Sequence, residues 1–274
     1  MFSSRRRLEG KVALVTGVSS GIGAELMREL ARRGAAVAGC ARREDRLQAL
    51  RAELEGLGAE VLLVPADVTS DDDVSSLVAQ VLGRFGRVDY VVANAGFGVG
   101  HPFEQLTLED YRRQLETNLF GVLRTAAAVL PPLKASRGVL AVMGSVAGEV
   151  PVPGSSAYAL SKAAVHAFAK SVGPELARHG VAVTLLAPGF VDSEIRKVDN
   201  DGRYRPEWRD PVPAWLSQPT DRVVRRMVSA VVARRRLVVL TGHGRLLVLA
   251  QRLAPGLMAL ALRRLAVQRD RSER

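Results

Sequence analysis

Thr16–Gly23 reads TGVSSGIG. Its glycines at 17, 21 and 23 stand between an apolar run, KVALVTG (Lys11–Gly17), and an amphipathic stretch, GIGAELMRELARRG (Gly21–Gly34). A strand that ends in such a turn and opens at once into a helix gathers backbone N–H groups and the positive end of the helix dipole at one spot. The missing side chains let a pyrophosphate come close. The plain alternative is a glycine-rich turn that binds nothing. The position of the triplet, after the first strand and at the start of the first helix, favours a phosphate loop in which Gly17, Ser19, Ser20, Gly21, Ile22 and Gly23 surround the ligand.

Outward from this loop, apolar runs alternate with amphipathic ones. AAVAGCA, EVLLVPADV, VDYVVANAG, GVLAVMGS and VAVTLLAPG read as further strands, and the segments between them as helices. REDRLQALRAELEGLG places Leu47, Leu50, Leu54 and Leu57 on one helical face, and SDDDVSSLVAQVLGRFG opens with acids, as a helix dipole favours. One long helix is predicted from about Thr107 to Leu130. Alternation of this kind means βαβ units, and strands apolar throughout mean a sheet covered on both faces. The expected fold is α/β: a Rossmann-type, doubly wound parallel sheet with helices on both faces, plus a basic, apolar C-terminal extension. The expected division is a catalytic domain over 8–235, with a Pro-rich substrate loop at about 193–220, and a tail over 236–274.

The chain has 274 residues, 47 % of them hydrophobic, enough for one sizeable core. A single cysteine, Cys40, rules out an internal disulfide framework, and the four histidines show no metal-ligand spacing, so no metal is expected. The net charge of +11 is concentrated. Thirteen arginines and two acids lie between Arg222 and Arg274, so residues 1–221 are formally neutral. A basic tail on a neutral body suits an anionic partner for the tail alone and argues against a general nucleic-acid binder. The opening MFSSRRRLEG has no apolar segment behind its arginines and reads as a loose leader, not a secretory signal. The expected location is cytoplasmic, or peripheral at a membrane.

At the end of the second strand, where an acid would bind a ribose 2′-hydroxyl, the chain reads AGCARRED, with Arg42 and Arg43. Guanidinium groups suit a 2′-phosphate, which points to NADP over NAD unless the arginines are merely solvated. Tyr158 and Lys162, in YALSK, share one helical face at i and i+4. A nearby ammonium stabilises phenolate and makes the phenol a usable proton donor and acceptor at neutral pH. Taken alone, that spacing more often marks a packed tyrosine beside a surface lysine. Ser145, thirteen residues before Tyr158, ends the strand GVLAVMGS at the carboxyl edge of the sheet, where such folds bind ligands.

With TGVSSGIG, NAG (Asn94–Gly96), ETNLFG around Asn118, GS at Ser145, YALSK, and APGFVDSEI from Ala187 in this order, the chain resembles the short-chain dehydrogenase/reductase family, in its single-domain branch, over about Leu8–Ile195. The resemblance implies that Tyr158 exchanges a proton with the substrate oxygen, that Lys162 lowers the phenol pKa and holds the nicotinamide ribose, and that Ser145 orients the substrate. Asn118 would hold a relay water, or else satisfy the core at a helix kink. Asp67 and Val68 would face the adenine, and Asn94, Ala95 and Gly96 would line the nucleotide floor. Pro188, Gly189 and Val191 would lead over the nicotinamide. Ser193 stands where the family commonly has threonine and could still reach the carboxamide. A homo-oligomer, dimer or tetramer, is also implied.

Ala147 and Phe190 are expected at the substrate, with the Trp208 and Trp215 loop nearby. The scarcity of charge there suits a lipophilic ketone or secondary alcohol, steroid-, fatty-acyl- or retinoid-like. His101 is either a pocket residue or a surface one. The tail's longest charge-free run after Arg252 is Leu253–Leu262, too short for a membrane span. It suits an amphipathic segment on an anionic membrane surface, or an apolar face packed on the body or a second subunit. A catalytically idle, NADP-sensing or membrane-surface interaction protein on the same fold is the competing function. Its expected mark is the loss of Ser145, Tyr158 or Lys162, and all three are present.

Overall fold

A computed structural model of the chain describes residues 8–198, 204–205, 207–208 and 212–272. In chain order the elements are β1 (Val12–Thr16), α1 (Gly21–Arg32), β2 (Ala36–Ala41), α2 (Glu44–Gly56), β3 (Val61–Pro65), α3 (Asp71–Phe85), β4 (Tyr90–Ala93), α4 (Leu108–Leu115), α5 (Gly121–Ser136), β5 (Val139–Met143), α6 (Ser156–Ala177), β6 (Ala182–Ala187), α7 (Thr220–Val232), β7 (Leu237–Val239), α8 (Gly242–Leu253) and α9 (Pro255–Ser272).

Among the described residues the strands form one seven-stranded parallel sheet, ordered β3-β2-β1-β4-β5-β6-β7. The order reverses between β1 and β4, and this is the place where a doubly wound sheet opens a crevice at the carboxyl ends of its strands. Strand pleating divides the core in two. Ala13 and Val15 of β1 pack with α1, α2 and α7, while Val12 and Leu14 pack with α3, α5 and α6. Burying the valine and leucine side chains contributes about 1.5–3 kcal/mol each.

Helix starts follow local chemistry. Ser70 caps α3, its Oγ accepting from the Asp73 N–H, and Thr107 forms a reciprocal capping box with Asp110 at α4. The predicted long helix is present as one continuous run over 108–136, with one irregular turn inside it. A π-helical turn at Glu116–Phe120 joins α4 to α5, and it turns the Asn118 side chain to the loop after β4. The seventh strand lies inside the segment 236–274 that the sequence pattern assigns to the tail. It pairs with β6 through Leu237, Val238 and Val239. From there α8 folds back over the residues after Ser145, burying Val248 against Val146 and Val150.

Candidate active site

The carboxyl ends of β1, β2, β4, β5 and β6 surround a cleft of about 520 Å³. The glycine loop forms one wall. Gly17 and Gly21 take positive φ values of 72° and 53°. A Cβ at Gly17 would lie 2.7 Å from the Ala95 Cα, and one at Gly23 would overlap the Gly17 carbonyl oxygen. The loop is thus a cradle that side chains would fill. Asn94 ties it to β4, its Nδ2 donating to the carbonyls of Thr16 (2.9 Å) and Gly17 (3.2 Å). Arg43 lies against the same loop, its Nη2 donating to Ser19 Oγ (2.9 Å) and Ser20 Oγ (3.0 Å). Arg42 stands 3.6 Å from an Asp67 carboxylate oxygen.

Across the cleft, α6 presents Tyr158 and Lys162. The lysine is 3 % exposed; its Nζ donates to the Met143 carbonyl (2.8 Å) and lies 5.8 Å from the centroid of the Tyr158 ring. Burial pushes the ammonium pKa down from 10.5 to about 8. The charge is thus carried at neutral pH with little water around it, where it acts on neighbouring groups more strongly than at the surface. Ser145 is buried, and its Oγ accepts the Ala147 N–H (3.2 Å). With that bond occupying a lone pair, the hydroxyl hydrogen is free to turn toward an oxygen in the cleft.

Most of the residues expected from the sequence line this one cleft: Gly17, Ser19, Ser20, Gly21, Ile22, Gly23, Arg42, Arg43, Asp67, Val68, Asn94, Ala95, Gly96, Ser145, Tyr158, Lys162, Pro188, Gly189, Val191 and Ser193. Five stand outside the lining. Asn118 is fully buried, and its amide is committed to the loop and to α6. Nδ2 donates to the Phe97 carbonyl (2.9 Å) and Ser161 Oγ (3.1 Å), and Oδ1 accepts the Phe97 N–H (3.1 Å). These contacts satisfy the side-chain amide at the π turn, an arrangement also compatible with the relay water that the family resemblance implies. Ala147 meets Ser145 through its backbone and does not line the cleft. Phe190, expected at the substrate, stacks instead on His243, with ring centroids 5.6 Å apart and its N–H donating to His243 Nε2 (3.1 Å). Trp208 and Trp215 are exposed and outside the lining.

Other residues at the site are not evident from the motifs. Glu194 reaches Arg43 (3.7 Å) and Arg46 (4.0 Å), laying a carboxylate beside the basic corner. His243, on α8, holds the loop after β6. His166 lies beneath Ser145. The faint signal for Glu194 is an acid directly after a motif residue; the histidines carry none, since what they touch is set by folding. Among the described residues no group of three or more His, Cys, Asp or Glu could hold a metal.

A parallel sheet thus carries a glycine cradle at its switch point, facing a tyrosine–lysine pair. The profile of the short chain dehydrogenase family matches residues 11–203, and the chain belongs to that family. It is 40 % identical over 201 residues to 11-beta-hydroxysteroid dehydrogenase 1A of Arabidopsis thaliana, covering 72 % of this chain and 56 % of the plant protein. It is 38 % identical over 189 residues to L-fucose dehydrogenase of Mus musculus, covering 68 % of this chain and 67 % of the mouse protein. The chain spans about half the length of the steroid dehydrogenases it matches. Among solved structures it resembles a family member from Burkholderia phymatum in complex with NAD (TM-score 0.80, 25 % identity, 89 % of this chain and 94 % of that one). It also resembles an alcohol dehydrogenase from Thermococcus sibiricus complexed with 5-hydroxy-NADP (TM-score 0.73, 32 % identity, 84 % and 95 %).

Proposed function

We propose that the cleft performs NADP-dependent hydride transfer between a nicotinamide and the carbonyl or secondary alcohol of a lipophilic substrate. The observation that carries this reading is the buried Lys162 beside the Tyr158 ring, in one cleft with Ser145 and the glycine cradle. The bound dinucleotide supplies the hydride chemistry. The chain's own residues supply the rest. Tyr158 gives its proton to the substrate oxygen in reduction and takes it back in oxidation. Lys162 donates one N–H to Met143 and keeps two for the ribose and the phenol side. Ser145 donates its hydroxyl hydrogen to the substrate oxygen. Asn118 braces the floor of the site through Phe97. Arg42 and Arg43 would take a 2′-phosphate, with Ser19 and Ser20 already drawn to Arg43.

The lipophilic substrate is favoured by an apolar groove of about 430 Å³ that leads from Phe103 past Pro151, Val152 and Pro153 to Leu262, along the loop that precedes Tyr158. The steroid dehydrogenase relatives favour it too; the L-fucose dehydrogenase relative makes a sugar the alternative to exclude. The test is cofactor turnover with NADPH and NADH against a panel holding a steroid ketone, a long-chain ketone, a retinoid aldehyde and, in the oxidative direction, L-fucose. Turnover of the lipophilic carbonyls with NADPH is expected. A several-fold preference for NADH, or turnover of the sugar alone, would overturn the corresponding half of the proposal.

We also propose that α8 and α9 rest on an anionic membrane surface. Leu246, Leu249, Leu253, Leu257 and Leu260 are 49–75 % exposed, among arginines at 245, 252, 263 and 264. Among the described residues no single helix is long and apolar enough to cross a membrane, and the two helices meet at 118°. A second copy placed face to face would set the arginines at 245, 252, 263 and 264 against their own counterparts, which disfavours that occupant relative to anionic headgroups.

A further inference from the structure

Beneath the catalytic serine the chain builds a device that the chemistry above does not use. The backbone N–H of Ser145 is buried and donates to His166 Nε2 at 3.3 Å. A ring nitrogen accepts only when it carries no hydrogen. The other ring nitrogen, Nδ1, lies 3.1 Å from Glu149 Oε1, and the neutral ring satisfies both contacts in one tautomer alone, with the hydrogen on Nδ1. Glu149 is itself held by Lys170 (2.8 Å) and by Arg252 of α8 (3.6 Å). Gly144 admits the ring, because a Cβ there would come within 2.5 Å of Nε2. His166 also follows Lys162 by four residues, and Lys162 follows Tyr158 by four, so one face of α6 carries all three.

We propose that His166 is a positioning residue of the active site: its neutral imidazole, locked as the Nδ1–H tautomer by Glu149, anchors the backbone of Ser145 and so aims the serine hydroxyl at the substrate oxygen. The proposal rests on the reading that Ser145 meets the substrate. Protonation would set an N–H against the Ser145 N–H and break the anchor. The groups facing the ring are Glu149 after β5, Lys162 and Lys170 on α6 and, through Glu149, Arg252 on α8. Burial, with Lys162 and Lys170, lowers the imidazole pKa from its ordinary 6.5 while Glu149 opposes this, so the neutral ring prevails at pH 7. Turnover is expected to fall on the acid side only as the ring becomes charged.

The first test is nitrogen-15 NMR of the 274-residue chain labelled at histidine, with the His166 signals assigned by their loss in His166→Gln. A neutral ring protonated at Nδ1 and bare at Nε2 at pH 7 is expected. An imidazolium, or hydrogen on Nε2, would overturn the proposal whether or not any panel substrate turns over. The second is kinetics of the fastest panel ketone. His166→Phe, which cannot accept, should lower kcat about tenfold or more with the Kd for NADPH unchanged. His166→Gln, whose amide oxygen can accept, should restore most of it. Equal kcat in the Phe variant and wild type would count against the anchor, as would a loss of cofactor affinity matching the loss of kcat. If the Phe variant does not fold, the tautomer measured in the wild type decides.

Discussion

Lys162 is a charge kept where water is scarce, and the fold is less stable for it. Its pKa is about 8 in the fold against 10.5 for the exposed side chain. Between those values the unfolded chain binds more protons, so stability rises with pH across that window, and the full destabilisation is present below about pH 8. A tenfold change in proton affinity corresponds to about 1.4 kcal/mol. Lys162→Met should therefore abolish turnover yet raise the Tm of the cofactor-free protein by roughly 2–6 °C at pH 7. That advantage should shrink toward pH 10, which thermal melts across a pH series would show. Tyr158→Phe should leave NADPH binding, followed by fluorescence, nearly intact and cut turnover by about 10²–10⁴. Arg43→Ala should raise KM for NADPH by about tenfold or more and leave NADH little changed; equal effects on both cofactors would place the 2′-phosphate elsewhere. Tyr158, Lys162 and Ser145 were legible as neighbours in one cleft only through the ordered motifs that surround them, since the i, i+4 spacing alone suits a packed tyrosine beside a surface lysine. His166, His243 and Glu194 were not, because each matters through a partner reached only across the fold.

At the level of elements, the glycine loop was the most legible feature, since its constraint is local: turn, strand end and helix start lie within eight residues. Gly23→Ala would drive a methyl into the Gly17 carbonyl and deform the loop. At least a tenfold loss of NADPH affinity is expected, about 1.4 kcal/mol, and titration of the cofactor fluorescence checks it. The π turn between α4 and α5 was less legible. ETNLFG has no proline or glycine where the π turn begins, and the turn exists to aim Asn118 at Phe97, a contact spanning 21 residues. Asn118→Leu would strand the Phe97 N–H and cost about 1–3 kcal/mol, measurable as a lower denaturant midpoint. The strand β7 was hidden for another reason: three residues behind three arginines, at the sheet edge, give no alternation to read.

On the scale of the whole molecule, charge and apolar surface coincide at one end. Flotation with vesicles of phosphatidylcholine, with and without phosphatidylglycerol, should recover the 274-residue chain only with the anionic ones, and less of it at high salt. Replacing Leu246, Leu253 and Leu257 by Glu should abolish that recovery. If instead the wild type stays with the unbound fraction and the same substitutions dissolve a dimer in sedimentation, the face belongs to a second copy. Composition made the charge asymmetry plain, but it could not say which leucines face outward. That depended on α8 turning Val248 onto the segment after Ser145.

The lone thiol, Cys40, sits 1 % exposed in β2, with burial pushing its pKa to about 12. Thiol reagents therefore have no ready target on the native protein, and their rate of reaction becomes a clock for the opening of the central sheet. The same silence makes any cysteine engineered onto α8 a unique handle for a depth-sensitive probe, with no native residue to remove first.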